Sequence, residues 1–306
     1  MTTAMVFPGM GPTRFSDLGR FLLLNTFARD LLPIADEALG YSVFDRFRES
    51  GEDYSEAAQV AFMVASTALA QWARAELGAE AEICAGPSFG EKPLMAFCGA
   101  LDFPDAVVMT ARLARCTADY FATEHRDVVT QSFVRAPVDG LRELLAGMDE
   151  RGEWYDLSCR LDKGFEMISL REEHLEAFTG RLRKIGSLPL YAMRPPMHSS
   201  LFTGLRDRAA VEVIDALPLR DPDLPVLADQ DGRLIDTAEG LRTMLRDHFV
   251  KPVDWPAVLA ELGRRGVTRL VVAGPDALFS RVECAVRNFD VVLADPKHAM
   301  RPKAGV

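Results

Sequence analysis

The chain has 306 residues, with 35 Lys+Arg against 45 Asp+Glu and a net charge of −10. At 48% hydrophobic and 26% charged residues it has the composition of a globular protein with room for a large core and about two domains. The acidic balance speaks against a general nucleic-acid binder, which needs a basic footprint.

The first residues carry no basic segment followed by an apolar one, so no signal peptide is expected. The most apolar run, residues 61–70, is too short to cross a membrane and is interrupted by Ser66 and Thr67. Five scattered cysteines (Cys84, Cys98, Cys116, Cys159, Cys284) form no CxxC pair, which disfavours a zinc site or disulfide framework. A cytoplasmic location follows as an expectation. The five histidines are widely separated, and no metal is expected.

In chain order, the pattern predicts strands at 4–7, 82–85, 131–134, 166–169, 188–192, 225–228, 269–273 and 291–293. Helices are predicted at 29–39, 54–77, 89–98, 103–120, 138–150, 172–185, 238–248 and 255–265. The alternation implies an α/β protein with a mainly parallel sheet. Residues 129–192 read as strand, helix, strand, helix, strand, which suits a small split-βαβ subdomain. The larger domain then comprises 1–128 and 193–306. The tail 298–306 is expected to be mobile.

The most informative segment runs from Glu82 to Glu91. A short apolar strand enters Gly86-Pro87-Ser88-Phe89-Gly90, a G-x-S-x-G turn, and a helix follows. This is the pattern of a nucleophile elbow, in which the turn exposes the serine hydroxyl at a helix N-terminus suited to a developing oxyanion. A Gly-rich turn with a serine cap would read the same. A serine needs a base, and the candidates are His198, in a Pro-rich loop after a predicted strand, and His248. The α/β-hydrolase order would be Ser88, then Asp229 or Asp231, then His248. That fold needs several strands before its elbow, whereas only 4–7 is predicted there.

Several segments together resemble the malonyl-CoA:acyl-carrier-protein transacylase family, including polyketide synthase acyltransferase domains. Phe7-Pro8-Gly9-Met10-Gly11 resembles FPGQG, and Gly86 to Glu91 resembles GHSLGE. His198-Ser199-Ser200-Leu201-Phe202 resembles the loop of the catalytic histidine. Lys251-Pro252-Val253-Asp254-Trp255 resembles NPVxW, and Ala273-Gly274-Pro275 resembles a late VGPG turn. Five motifs in order span nearly the whole chain. The resemblance implies a large α/β-hydrolase-like domain with a parallel sheet and an inserted ferredoxin-like subdomain.

It also implies ping-pong acyl transfer, with Ser88 as nucleophile and His198 as general base. The amides of Met10 and Phe89 would form the oxyanion hole, and a backbone carbonyl near His248 would orient the histidine. No bound cofactor is implied. The substrates ride on the phosphopantetheine of an acyl carrier protein, or on CoA. The partners are acyl carrier proteins, not nucleic acid or membrane.

The departures bear on the substrate. Malonyl-type members carry an arginine about 25 residues after the serine, and an unbroken register places Leu113 there. Arg112 and Arg115 project about 100° and 200° away around a helix, so neither replaces it without a register shift. A malonyl carboxylate buried against Leu113 would be unpaired, so the acyl group is expected not to be malonyl or methylmalonyl. The resemblance then points to discrete enzymes that move aminoacyl or dipeptidyl groups between carrier proteins in antibiotic-type polyketide assembly. Pro87 stands where the family has histidine, and Pro93 is expected to delete one helical hydrogen bond. Both fit a reshaped acyl pocket or an inactive relative, and retention of Ser88 and His198 favours the former.

Carrier proteins are acidic, so local cations are required. Arg135, and Arg281 on the expected helix after Pro275, are the candidates. A carrier-protein thioesterase and a non-catalytic carrier-docking protein are the alternative functions.

Overall fold

The computed structural model describes residues 2–276 and 278–301. Two sheets form. The larger has the order β11-β10-β1-β2-β7-β8, from Asp290–Ala294 (β11), Val267–Ala273 (β10), Thr2–Val6 (β1), Ile83–Ala85 (β2), Val226–Leu227 (β7) and Leu234–Ile235 (β8). All its pairings are parallel except the short β7–β8 hairpin. Its central strands are apolar without alternation, as expected of parallel strands covered on both faces.

The second sheet has the order β6-β3-β5-β4-β9. Here β3 is Val128–Val134, β4 Tyr155–Asp162, β5 Phe165–Arg171, β6 Leu188–Met193 and β9 Val253–Asp254. Helices Val138–Glu150 and Leu175–Lys184 cover one face, packing Leu141, Leu144, Met148, Phe178 and Leu182 on Val129, Phe133, Ile168 and Leu170. The strand β4 is absent from the sequence reading. So are the helices Phe15–Leu24, Val43–Glu49 and Thr203–Glu212. The fifth strand, β9, comes from far along the chain and pairs in parallel with β4, placing Cys159 beside Val253 and Arg160 beside Asp254. The two sheets therefore share a core. Cys159, Leu161 and Val253 pack with Trp255, Val6 and Leu270 in one buried cluster.

The centre of the large unit is the helix Glu56–Leu77, buried nearly all round from Ala57 to Ala70. A helix apolar on every side has no solvent face to present, and this one is packed by sheet and helices together. Ser55 caps its start by accepting from the Ala58 amide. One strand and four helices precede β2, the mostly helical lead-in expected from the sequence. A short helix, Pro296–Ala299, occupies part of the tail expected to be mobile, and 302–306 lie outside the described residues. No helix among the described residues is long and apolar enough to cross a membrane.

Candidate active site

Ser88 sits on a tight turn between β2 and the helix Glu91–Phe97, at the start of a single 3-10 turn, Ser88–Gly90. Its φ is 55°, a left-handed value that a non-glycine residue holds only where its surroundings enforce it. The flanking glycines make that possible. A Cβ on Gly86 would overlap the Gly90 carbonyl group, and one on Gly90 would overlap the Phe7 carbonyl oxygen. The second contact seats the elbow against residues 7–11 and brings Met10 alongside Ser88.

The serine Oγ lies 2.7 Å from His198 Nε2. His198 Nδ1 lies 2.6 Å from the carbonyl oxygen of His248, so Nδ1 carries the proton and Nε2 is left as an acceptor for the serine hydroxyl. His198 is 3% exposed with φ 60°, held by a loop whose hydrogen bonds are fully specified. The Ser199 amide donates to the Phe249 carbonyl, and Ser158 Oγ donates to the Met197 carbonyl. Asp156 Oδ2 accepts from Ser199 Oγ, the Ser200 amide and Ser200 Oγ, each at 2.8 Å. Burial pushes the His198 imidazole well below the ordinary histidine value, with His248 adding to the effect. The neutral ring is the form able to take a proton.

Of the amides around the elbow, that of Ser88 is committed, donating to Asp229 Oδ2 at 2.6 Å. Those of Met10 and Phe89 have no hydrogen-bond partner among the described residues, and both residues line the cavity that contains Ser88. Both amides are therefore free to donate to a group that enters this cavity.

The order Ser88–Asp229–His248 is not assembled as a triad. His198, not His248, meets the hydroxyl. Asp229 bonds a backbone amide, and the His248 ring turns to Glu91, with Nδ1 3.2 Å from Oε2. Beneath the elbow, Glu91, Lys92, Asp229 and His248 are all buried. The Glu91 and Asp229 carboxyls act on each other electrostatically, and each keeps one buried oxygen, Glu91 Oε2 and Asp229 Oδ1, without a hydrogen-bond partner among the described residues. Burial pushes Glu91 up to about 8 and raises Asp229 well above the ordinary carboxylate range.

Two cavities meet at Ser88. The inner one is lined by Met10, Phe89, Leu113, Met197 and Phe249, with Tyr54, Gln59 and Lys92 as polar members. Through Tyr54, Gln59 and Thr117 it opens into a wider cleft bounded by Glu56, Arg115 and Arg126. The other lies between the sheets, against Cys159, Met167, Tyr191 and Asp276. Leu113, 4% exposed, faces the inner cavity as its register implied. Arg112 donates instead to the Glu212 carbonyl, and Arg115 forms a bidentate pair with Glu56 at 2.6 and 2.9 Å.

Three expectations need correction. Pro87 is buried behind the turn, its carbonyl accepting from the Gly90 amide, and it lines neither cavity. Pro93 is the third residue of its helix, among the first-turn amides that lack an intrahelical partner, so it deletes no hydrogen bond. Arg281 lies in a turn before the short helix Glu283–Val286 rather than on a helix. Arg135 and Arg281 are both exposed and line none of the cavities at Ser88. The sequence reading passed over Glu91 and Lys92. The one local signal for Lys92 is a charged residue set directly after the G-x-S-x-G turn and Glu91, at the start of the helix that follows.

A serine on a strained strand-to-helix turn with a neutral histidine at its hydroxyl is an arrangement able to carry acyl-transfer or hydrolytic chemistry on an α/β scaffold. Comparison with known proteins narrows the class. A family model described as the VinK acyltransferase small domain matches residues 132–193. The probable mitochondrial malonyl-CoA-acyl carrier protein transacylase of Drosophila melanogaster is 27% identical over 291 residues, covering 86% of this chain and 73% of that protein. The malonyl CoA-acyl carrier protein transacylase of Bacillus subtilis is 24% identical over 303 residues, covering 96% and 94%. In fold, the chain is similar to a malonyl-transacylase solved in complex with its type II polyketide synthase acyl-carrier protein, with TM-score 0.85, 20% identity and 98% of each chain covered. It is also similar to FabD from Acinetobacter baumannii, with TM-score 0.84, 21% identity, and 98% and 96% covered. In sequence the chain is similar to proteins named as malonyl-CoA:acyl-carrier-protein transacylases, and in fold it is similar to solved structures that carry that name.

Proposed function

We propose that the protein is an acyltransferase that carries an acyl group on Ser88 and delivers it to the phosphopantetheine thiol of an acyl carrier protein. The observation that carries this reading is the chain of contacts Ser88 Oγ, His198 Nε2, His198 Nδ1 and His248 carbonyl, at 2.7 and 2.6 Å. In the first half-reaction His198 takes the serine proton as Oγ attacks a thioester carbonyl. The oxyanion is met by the Met10 and Phe89 amides, and the thiolate leaves with the proton that His198 returns. In the second half-reaction His198 takes the proton of the acceptor thiol as its sulfur attacks the ester, and Ser88 leaves as the alcohol. The relatives named for transfer to acyl carrier proteins support the choice of partner.

The acyl group on this reading is not malonyl. Leu113 supplies an apolar wall where the family has an arginine, and Arg112 and Arg115 are engaged elsewhere. Aminoacyl or peptidyl groups moved between carrier proteins in a polyketide-type pathway fit such a cavity.

Intact-protein mass after mixing with acyl donors tests both levels. A carrier-bound thioester should leave an adduct that Ser88→Ala abolishes, and His198→Ala should slow its formation by about 10²–10⁴-fold. Malonyl-CoA should leave none. A Ser88-dependent malonyl adduct would overturn the substrate reading and keep the acyltransferase. Release of the acyl group to water at the rate of transfer to a thiol would make the protein a thioesterase.

A further inference from the structure

Lys92 is the only lysine, arginine or carboxylate side chain among the described residues lining the inner cavity. It is 5% exposed, and its ammonium has no hydrogen bond and no ion pair within 4.0 Å among the described residues. Its Nζ stands over the face of the Phe89 ring, 5.0 Å from the centroid. Buried ammonium donors are costly to leave unmade, so a group in this position is either balanced from below or satisfied by what enters the cavity. Both apply to different properties of Lys92. From below, the buried carboxyl groups of Glu91 and Asp229 act on it electrostatically and oppose the burial that lowers Lys92 from its ordinary value. Its N–H donors are not used.

We propose that Lys92 donates a hydrogen bond to an uncharged carbonyl oxygen on the acyl group, so that the site selects acyl chains bearing an amide-type carbonyl beyond the thioester. A simple alkyl chain would leave the donors unmet. A carboxylate would add a third acidic group to a buried space that already holds Glu91 and Asp229 beside Lys92. A neutral acceptor meets the donors and leaves the balance unchanged. Lys92 lines the same cavity as Ser88, so the oxygen it meets lies on the part of the acyl group that fills this cavity beyond the ester carbonyl. Discrimination of this kind is strong because a site built to hydrogen-bond a substrate penalises the analogue that cannot.

The inference rests on the acyltransferase reading. Its test is the rate of Ser88 adduct formation from three pantetheine thioesters: N-acetyl-β-alanyl, hexanoyl of the same chain length, and malonyl. Wild type should react at least about tenfold faster with the amide than with hexanoyl. Lys92→Met should bring the two rates together by slowing the amide, and Lys92→Gln, which keeps an N–H donor, should retain part of the preference. Equal wild-type rates for amide and hexanoyl would overturn the inference without any variant. A preference unchanged in Lys92→Met and Lys92→Gln would overturn it too. Malonyl reacting fastest, and losing that in Lys92→Met, would make Lys92 a carboxylate's counter-ion instead. No adduct from these or from carrier-bound thioesters would overturn the acyltransferase reading as well, whereas adducts indifferent to Lys92 would overturn this inference alone.

Discussion

His198 and His248 are both buried with imidazoles held well below the ordinary histidine value, mainly by desolvation. For His198 the consequence is kinetic. Its neutral form persists as pH falls through the ordinary histidine range, so the acid limb of Ser88 acylation should lie below about 6.5, measured by single-turnover adduct formation. For stability the sign is definite. Below the unfolded-state value the unfolded chain binds protons that the folded chain refuses, so each ring removes about 1.4 kcal/mol per pH unit. Glu91 acts in the opposite sense. Its folded value, about 8, lies above the unfolded one, so its contribution is greatest below about 4.5 and is lost as pH rises to about 8. Urea unfolding of Glu91→Gln should show a flatter dependence than wild type between pH 4.5 and about 8; an unchanged slope would mean that Glu91 is ionised in the fold.

At the scale of elements, the histidine loop matters as much as the histidine. Asp156, on β4, accepts three hydrogen bonds from Ser199 and Ser200 and fixes where His198 starts. Asp156→Ala should cost about 1–3 kcal/mol in denaturant unfolding and lower the acylation rate at saturating donor, because the ring loses its aim. On the helix Phe103–Thr123, Leu113→Arg should admit malonyl loading if the cavity wall is what excludes it; continued absence of a malonyl adduct would return that exclusion to other residues. Strand β4 was legible and still passed over. Tyr155–Asp162 alternates apolar Tyr155, Leu157, Cys159 and Leu161 with polar Asp156, Ser158, Arg160 and Asp162, the period-2 pattern of a strand, whereas its second partner, β9, comes from far along the chain and has no local signal. The elbow was legible because its whole logic lies within ten residues: an apolar strand, two glycines that permit close approach, and a helix start. Pairing of Ser88 with His198 across 110 positions came from the family likeness, since no local rule distinguishes His198 from His248. The buried grouping of Glu91, Lys92, Asp229 and His248 emerges only when the fold brings these residues together.

Over the whole molecule, a net charge of −10 faces partners proposed to be acidic, so long-range repulsion must be overcome locally. Arg281 is exposed and ion-paired with no carboxylate within 4.0 Å among the described residues. Arg281→Glu should raise KM for a carrier-bound donor while leaving a small pantetheine thioester unaffected; equal effects on both would remove Arg281 from the docking surface. Trp255, fully buried in the core shared by the two sheets, is packed edge-on against Phe279 at 5.4 Å. Trp255→Ala should cost about 3–5 kcal/mol, read as a loss of thermal stability by both sheets together. The β4–β9 pairing adds a consequence for engineering. The edge of the smaller sheet is completed by Val253 and Asp254, about sixty residues downstream of the segment that matches the small-domain family. A graft that swaps only residues 132–193 from a relative would sever that seam and set a foreign strand against the native Val253. A transplant meant to change specificity must carry the 253–255 patch with it as a second insert, and a cassette without it should yield a misaligned cleft however well each half folds.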